Sequence, residues 1–223
     1  MANLTLYNYF RSSTSYRVRI ALHLKNLKFE YIPVHLINEG GEQNNPEYRK
    51  INPTGGVPTL MHDQKAISQT VAILEYLDEA FPETQRLYPS DPFAKAKVRQ
   101  LCENINADIH PLTNLKVTQY LEHQLNTTPE QRTQWSHKWI QDGLAATEKV
   151  MATTAGEYSY GDSVTAADIF LVTQLFSAHR IGVDIKNYKT LSRINDRCLA
   201  LDAFKKAHPH LQIDTPEEFK GKI

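Results

Sequence analysis

The feature that most constrains this chain is a change of texture at residues 82–92. Up to Pro82, short runs with strand spacing alternate with runs of helical spacing; beyond Tyr88-Pro89-Ser90-Asp91-Pro92, every run has helical spacing. Alternation at period 2 suits a half-buried strand, and apolar residues at i, i+3, i+4 suit an amphipathic helix. The pattern predicts an α/β domain over residues 1–83 followed by an all-helical domain over residues 90–223. A chain of 223 residues, 41% of them hydrophobic, suffices for one large core or two small ones.

Within the first part, residues 4–8 read as a strand, 13–25 as a helix and 29–34 as a second strand, a β-α-β unit. A short helix near 47–50, strands at 57–61 and 66–68, and a helix over 69–81 follow. That last helix carries Thr70, Ile73, Leu74, Leu77 and Phe81 on one face. Pro58 is unusual inside a strand because it has no N–H to give to the ladder, so it implies either a cis bond or an edge open to a ligand backbone.

In the second part, Val98, Leu101, Cys102, Ile105, Ile109 and Leu112 keep helical register, so residues 93–122 are expected as one long helix bent at Pro111. A second helix spans 129–152. Thr165 and Asp168 have capping-box spacing at the head of a helix over 166–179 that is apolar nearly all round and so belongs at the domain centre. A last helix is expected over 191–207.

Composition excludes several classes of function. Twenty-five basic and twenty-five acidic residues cancel without long charge runs, which argues against nucleic-acid or membrane-surface binding. Cys102 and Cys198 lack metal or redox spacing and read as buried apolar residues, so no metal site is expected. With neither a targeting segment at the N-terminus nor a membrane span, a cytoplasmic protein of a reducing compartment is expected.

The chemistry concentrates where the first strand meets the first helix. Arg11, Ser12, Ser13, Thr14, Ser15, Tyr16 and Arg17 follow one another there. A helix start leaves backbone N–H groups unpaired and favours negative charge, so the run reads either as helix capping or as a cradle for an anion or thiolate. Arg17 and Arg19 lie on a helix whose other face is core and read as structural or solvated.

The run from Ser12 to Leu22 resembles the SSCSWRVRIAL motif of zeta-class glutathione transferases. Further similarity lies in Asn52-Pro53 with Val57-Pro58-Thr59-Leu60, in Ser68-Gln69-Thr70, in Ile109-His110-Pro111-Leu112 with Asn114-Leu115, and in Gln174 through Arg180 to Val183-Asp184. The resemblance covers essentially the whole chain. It implies a thioredoxin-like first domain with cis Pro58, an all-helical glutathione-transferase second domain, glutathione as cofactor and a homodimer. By the same resemblance, Ser12, with Ser13, Ser15 and neighbouring backbone, surrounds the glutathione sulfur; Thr14, Tyr16 and Arg17 of the same motif are cofactor-binding candidates, and Ser12, Ser13 and Arg11 are the catalytic candidates, Arg11 toward the substrate. Gln43 reaches the tripeptide, Val57 beside Pro58 pairs with its backbone, and Gln69 and Thr70 hold its γ-glutamyl carboxylate.

On the helical side, the resemblance assigns His110, Asn114, Leu115 and Lys116 to the electrophile pocket, and Arg180 to a carboxylate of a small dicarboxylate substrate. The family pattern has Cys where this chain has Thr14, and Ser where it has Thr70; both replacements keep a hydroxyl. The implied activity is glutathione-dependent cis-trans isomerisation of maleylacetoacetate. Maleylpyruvate isomerisation, transfer to α-halo acids and a non-catalytic binding module are the alternatives, and joint retention of Ser12, Gln69 and Arg180 favours an enzyme.

Overall fold

A computed structural model describes residues 3–222 and divides into two units, one running to Leu87 and resuming at Ala200, the other Tyr88–Leu199. The first unit is built on a four-stranded sheet of β1 (Leu4–Asn8), β2 (Glu30–Pro33), β3 (Thr59–His62) and β4 (Lys65–Ser68). Its order is β2-β1-β3-β4, with β1 and β2 parallel and the other pairs antiparallel. A parallel pair needs a crossover, which α1 (Ser13–Leu24) supplies. Two more helices follow, α2 (Pro46–Ile51) and α3 (Thr70–Ala80). Leu6, Leu60, Val18, Ile20, Ile73 and Leu77 are buried between sheet and helices. A buried ion pair between Lys25 and Asp78 at 2.8 Å ties the end of α1 to α3.

The second unit is helical, with α4 (Pro92–Asn106), α5 (Leu115–His123), α6 (Pro129–Met151), α7 (Ala166–Arg180) and α8 (Lys189–Leu199). As its composition predicts, α7 is the centre, packed on α4 and α8 and buried from Ala166 to Leu175. Asp168 accepts from the backbone N–H groups of Ser159 at 2.7 Å and Thr165 at 2.8 Å, completing the expected box on its carboxylate side. The single helix expected over 93–122 is instead α4, a 3₁₀ turn at His110–Thr113, and α5. Pro111 lacks an N–H, and Asn114, at ψ 151°, turns its side chain to cap α5 instead of continuing the helix. Ile109 nonetheless packs tightly: a Cβ on Gly143 of α6 would stand 2.2 Å from its Cγ1.

The final stretch differs most from expectation. The helix expected over 191–207 splits at Leu199, and its second half, α9 (Asp202–Ala207), joins the first unit with the rest of the tail. The helical domain therefore ends near 199, not at 223. The physical reason is a set of bonds from α1 and its preceding turn: Tyr16 Oη donates to Phe204 O at 3.3 Å, Arg19 Nε to Ala207 O at 3.0 Å, and Phe10 N–H to an Asp214 carboxylate oxygen at 2.9 Å.

His208 follows α9, buried and edge-on to Tyr16, with Nδ1 accepting from His210 N–H. Burial first, and the positive charges of His210 and Arg19 after it, push its pKa from 6.5 down to about 4. Between those values the unfolded chain binds a proton that the folded chain refuses, so stability falls as the pH drops through that window. The expected loss is about 2 kcal/mol after allowance for solvent screening. Urea unfolding at pH 7 and pH 4.5 should show it, with a smaller difference in His208→Gln; equal pH dependence in both proteins would rule it out.

Candidate active site

Ser12 stands at the N-cap of α1, in extended conformation (φ −67°, ψ 119°), and its Oγ accepts from Ser15 N–H at 3.2 Å. Its hydroxyl lies 2.8 Å from Thr14 Oγ1, which donates its own proton to Val57 O at 2.9 Å. With that proton committed, Ser12 is the donor in the Ser12–Thr14 contact. The result is a directed chain, Ser12 to Thr14 to Val57, in which the half-buried Ser12 proton is held by a hydroxyl that a stronger acceptor can replace.

The other residues of the motif divide by burial. Ser13 begins α1 and is 7% exposed. Ser15 faces inward and receives Tyr9 N–H at 3.3 Å, while Arg11 is half-buried in the turn before the helix. Tyr16 is fully buried, its hydroxyl engaged by Phe204 O, so its side chain serves the core. Arg17 is fully buried too, and structural in a definite sense: its Nη1 donates to Thr70 Oγ1 at 3.2 Å. With its oxygen accepting there, Thr70 keeps its own proton for donation.

Val57-Pro58 is a cis bond, and Pro58 lies just before β3, which starts at Thr59 and not at 57 as expected. Gln69, immediately before α3, has φ 72°. A non-glycine residue in that region carries a conformational cost of order 1–3 kcal/mol, and such residues cluster at ligand sites. Gln43 folds back over Gly41, where a Cβ would stand 2.3 Å from its amide nitrogen. Gln43 Nε2 donates to Leu36 O at 3.2 Å, and its Oε1 is buried with no hydrogen-bond partner.

In the second unit the structure brings His110 and Asn114 together. Asn114 Oδ1 accepts from Lys116 N–H at 3.1 Å, which turns its amide nitrogen toward His110 Nε2 at 3.3 Å. With Asn114 Nδ2 the donor, His110 Nε2 is the acceptor in this contact. Leu115 is half-buried, Lys116 is exposed, and Arg180 is exposed at the last residue of α7. Among the described residues no cluster of three metal-ligating side chains exists, and no helix is long and apolar enough to cross a membrane.

Residues 6–85 match the model of the glutathione S-transferase N-terminal domain. The maleylacetoacetate isomerase of Rattus norvegicus is 45% identical over 215 residues, covering 96% of each chain. A solved bacterial structure, the holo form of a maleyl pyruvate isomerase in the zeta class of glutathione transferases, superposes with a TM-score of 0.91 at 37% identity, covering 95% of this chain and 100% of that one. The chain belongs to the zeta class of glutathione transferases. Another solved relative, the maleylacetoacetate isomerase of Anaeromyxobacter dehalogenans, carries glutathione in its active site; it is 39% identical, with a TM-score of 0.86 and coverage of 96% of this chain and 99% of that one.

For a zeta-class transferase, the notable additions to the motif are the residues behind it. Arg19, Asn8 and Asp214 surround the turn that presents Ser12, and none was singled out as a site residue from sequence. Arg19 did carry a signal, a charge set among Val18, Ile20, Ala21 and Leu22 with no gap in the apolar run. Asp214 carried none, since its partner lies 204 residues away.

Proposed function

We propose that this transferase is a glutathione-dependent isomerase that converts maleylacetoacetate to fumarylacetoacetate, the cis-trans step in breakdown of tyrosine and phenylalanine. The observation that carries the reading is the Ser12 hydroxyl, a proton donor at a helix start whose present acceptor is replaceable. The donor set fits glutathione. Gln43 has a buried amide oxygen in need of a donor, Thr70 has a proton to give at the start of α3, and Val57 precedes the cis bond on a loop where a peptide can pair.

When bound, glutathione supplies a thiolate that adds to the maleyl double bond, allows rotation about the single bond so formed, and is expelled unchanged. The protein's part is electrostatic. Ser12 turns its O–H from Thr14 toward sulfur, and the unpaired N–H groups and dipole of α1 favour the anion beside it, with Ser13 at the first turn. Gln69 and Thr70 receive the γ-glutamyl carboxylate at the second helix start, and Arg17 keeps Thr70 oriented. Arg180 holds a substrate carboxylate, because guanidinium binds that group in a planar, bidentate fashion. On the first unit Arg11 is the proposed catalytic cation toward the substrate; on the second, His110, with Asn114, Leu115 and Lys116, is proposed to bind it, His110 as a hydrogen-bond donor or proton shuttle.

Maleylpyruvate, a shorter diacid, is the second reading, supported by the likeness to the maleyl pyruvate isomerase structure. Relatives named maleylacetoacetate isomerase at 44% and 45% identity put the longer substrate first. The test is an ultraviolet assay of maleylacetone and maleylpyruvate with and without glutathione. Turnover is expected only with the thiol and faster on maleylacetone than on maleylpyruvate; equal turnover without thiol would refute the reading. Arg180→Ala should raise the substrate KM by about 10- to 100-fold, the value of one charge-assisted pair, with a smaller change in kcat. An unchanged KM would remove Arg180 from the site. We further propose a cytoplasmic homodimer, for which light scattering at micromolar protein should give twice the chain mass.

A further inference from the structure

The turn that presents Ser12 is held from behind by the C-terminal tail. Phe10 N–H donates to Asp214 Oδ2 at 2.9 Å, and the other carboxylate oxygen receives Tyr31 Oη at 2.5 Å. On the far side of the same turn, Phe10 O accepts from Arg19 Nη2 at 2.9 Å. Tyr9 O accepts from Ser12 N–H at 3.1 Å and from Arg19 Nη1 at 3.3 Å, while Tyr9 N–H reaches Ser15 Oγ. All four backbone polar groups of Tyr9 and Phe10 thus have partners. Three of them are satisfied from within α1 and its own turn; the fourth, Phe10 N–H, depends on the tail.

The tail is itself well anchored. Thr215 Oγ1 donates to Pro209 O at 2.7 Å, and Gln212 Nε2 donates to His208 O at 2.8 Å and Lys206 O at 3.0 Å. Asp214 lies between these two residues, half-buried, with Tyr31 from β2 fixing the plane of its carboxylate. A reacting group held to within about 0.5 Å needs neighbours whose own positions are fixed, and hydrogen bonds to backbone supply that here.

We propose that Asp214 is a positioning residue for the thiol site: its carboxylate, oriented by Tyr31, fixes the Tyr9–Phe10 turn so that Ser12 Oγ stands where it donates to sulfur. The proposal rests on the reading of Ser12 given above. It assigns the last part of the chain, which the sequence places in the helical domain, to the machinery of the first unit.

The thiolate absorbance of bound glutathione, titrated against pH, reads the effect without turnover, and thermal unfolding of the same samples is the control. Asp214→Ala is expected to raise the pKa of the bound thiol by about one unit, which at pH 7 lowers the thiolate fraction about two- to fivefold from a parent pKa of roughly 6–7. Asp214→Asn keeps an acceptor for Phe10 N–H and is expected to leave the bound-thiol pKa within about 0.3 unit of the parent. Tyr31→Phe, which removes only the orienting hydroxyl, should move the pKa in the same direction by less, and it serves if Asp214→Ala does not fold. An Asp214→Ala protein that melts earlier but titrates like the parent would overturn the proposal in favour of a purely structural anchor. So would a downward shift shared by the Ala and Asn variants, which would mark a charge effect. A parent protein whose bound thiol titrates as in free solution would instead refute the Ser12 reading itself.

Discussion

Ser12→Ala is expected to lower kcat/KM for isomerisation by about 10²- to 10³-fold, the usual consequence of removing one preorganised donor to a developing or resident anion. A hydrogen bond to a charged acceptor contributes about 1.5–3 kcal/mol, or one to two pKa units on the thiol. The variant should fold. Ser12 is half-buried, its cap contributes about 1 kcal/mol, and Thr14 keeps its bond to Val57 O after Ser12 is gone. Ser12→Thr retains the hydroxyl and should recover most of the activity. Steady-state rates within threefold of the parent for Ser12→Ala would exclude Ser12 as the donor.

Arg19→Met is expected to cost about 3–5 kcal/mol of folding free energy, the range for removing one member of a buried charged network. Arg19 is fully buried, and its guanidinium reaches Asn8 Oδ1 at 2.9 Å as well as the carbonyls of Tyr9, Phe10 and Ala207. It also lies over the Tyr16 ring, 5.5 Å from its centroid. Burial lowers its pKa below the ordinary arginine value, with Tyr31, Tyr16 and Asp214 acting in the opposite direction. Methionine fills the space but leaves three acceptors, Asn8 Oδ1, Phe10 O and Ala207 O, without that donor, while Tyr9 O keeps Ser12 N–H. Since total stability is of order 5–15 kcal/mol, the loss is a large part of it. Lysine is no substitute, because an ammonium cannot fork to acceptors on both α9 and the β1–α1 turn. Urea denaturation of Arg19→Met and Arg19→Lys measures both; a loss below about 1 kcal/mol in either would contradict the hub role.

The two predictions differ in how much of their basis was legible in sequence. The Ser12 run was visible because helix-start chemistry is local: hydroxyls, an N-cap and the change from strand to helix spacing all fall within a few residues. The same locality made α3, α6 and α7 readable, together with the Thr165–Asp168 box and the anomaly at Pro58. The break between α4 and α5 was masked, because Ile105, Ile109 and Leu112 hold helical register across residues that do not form a continuous helix. Packing of Ile109 against Gly143 preserves the apolar face while Pro111 and Asn114 end the backbone ladder. Arg17 and Arg19 read as structural or solvated because an amphipathic pattern does not say what lies opposite a charge; Thr70, Asn8 and the tail carbonyls supply that answer. The membership of residues 200–222 in the first unit was not legible at all. It depends on pairings such as Phe10 with Asp214, whose partners are joined only by the fold.

The central claim is that the turn into α1 holds a bound thiol in its ionised form near neutral pH. Ultraviolet titration of glutathione on the parent protein, with Ser12→Ala beside it, tests this most directly. The account predicts a bound-thiol pKa of roughly 6–7 in the parent, against about 8.5 for an unperturbed thiol, and a return toward the latter in the variant. A parent titration that coincides with that of free glutathione would contradict it.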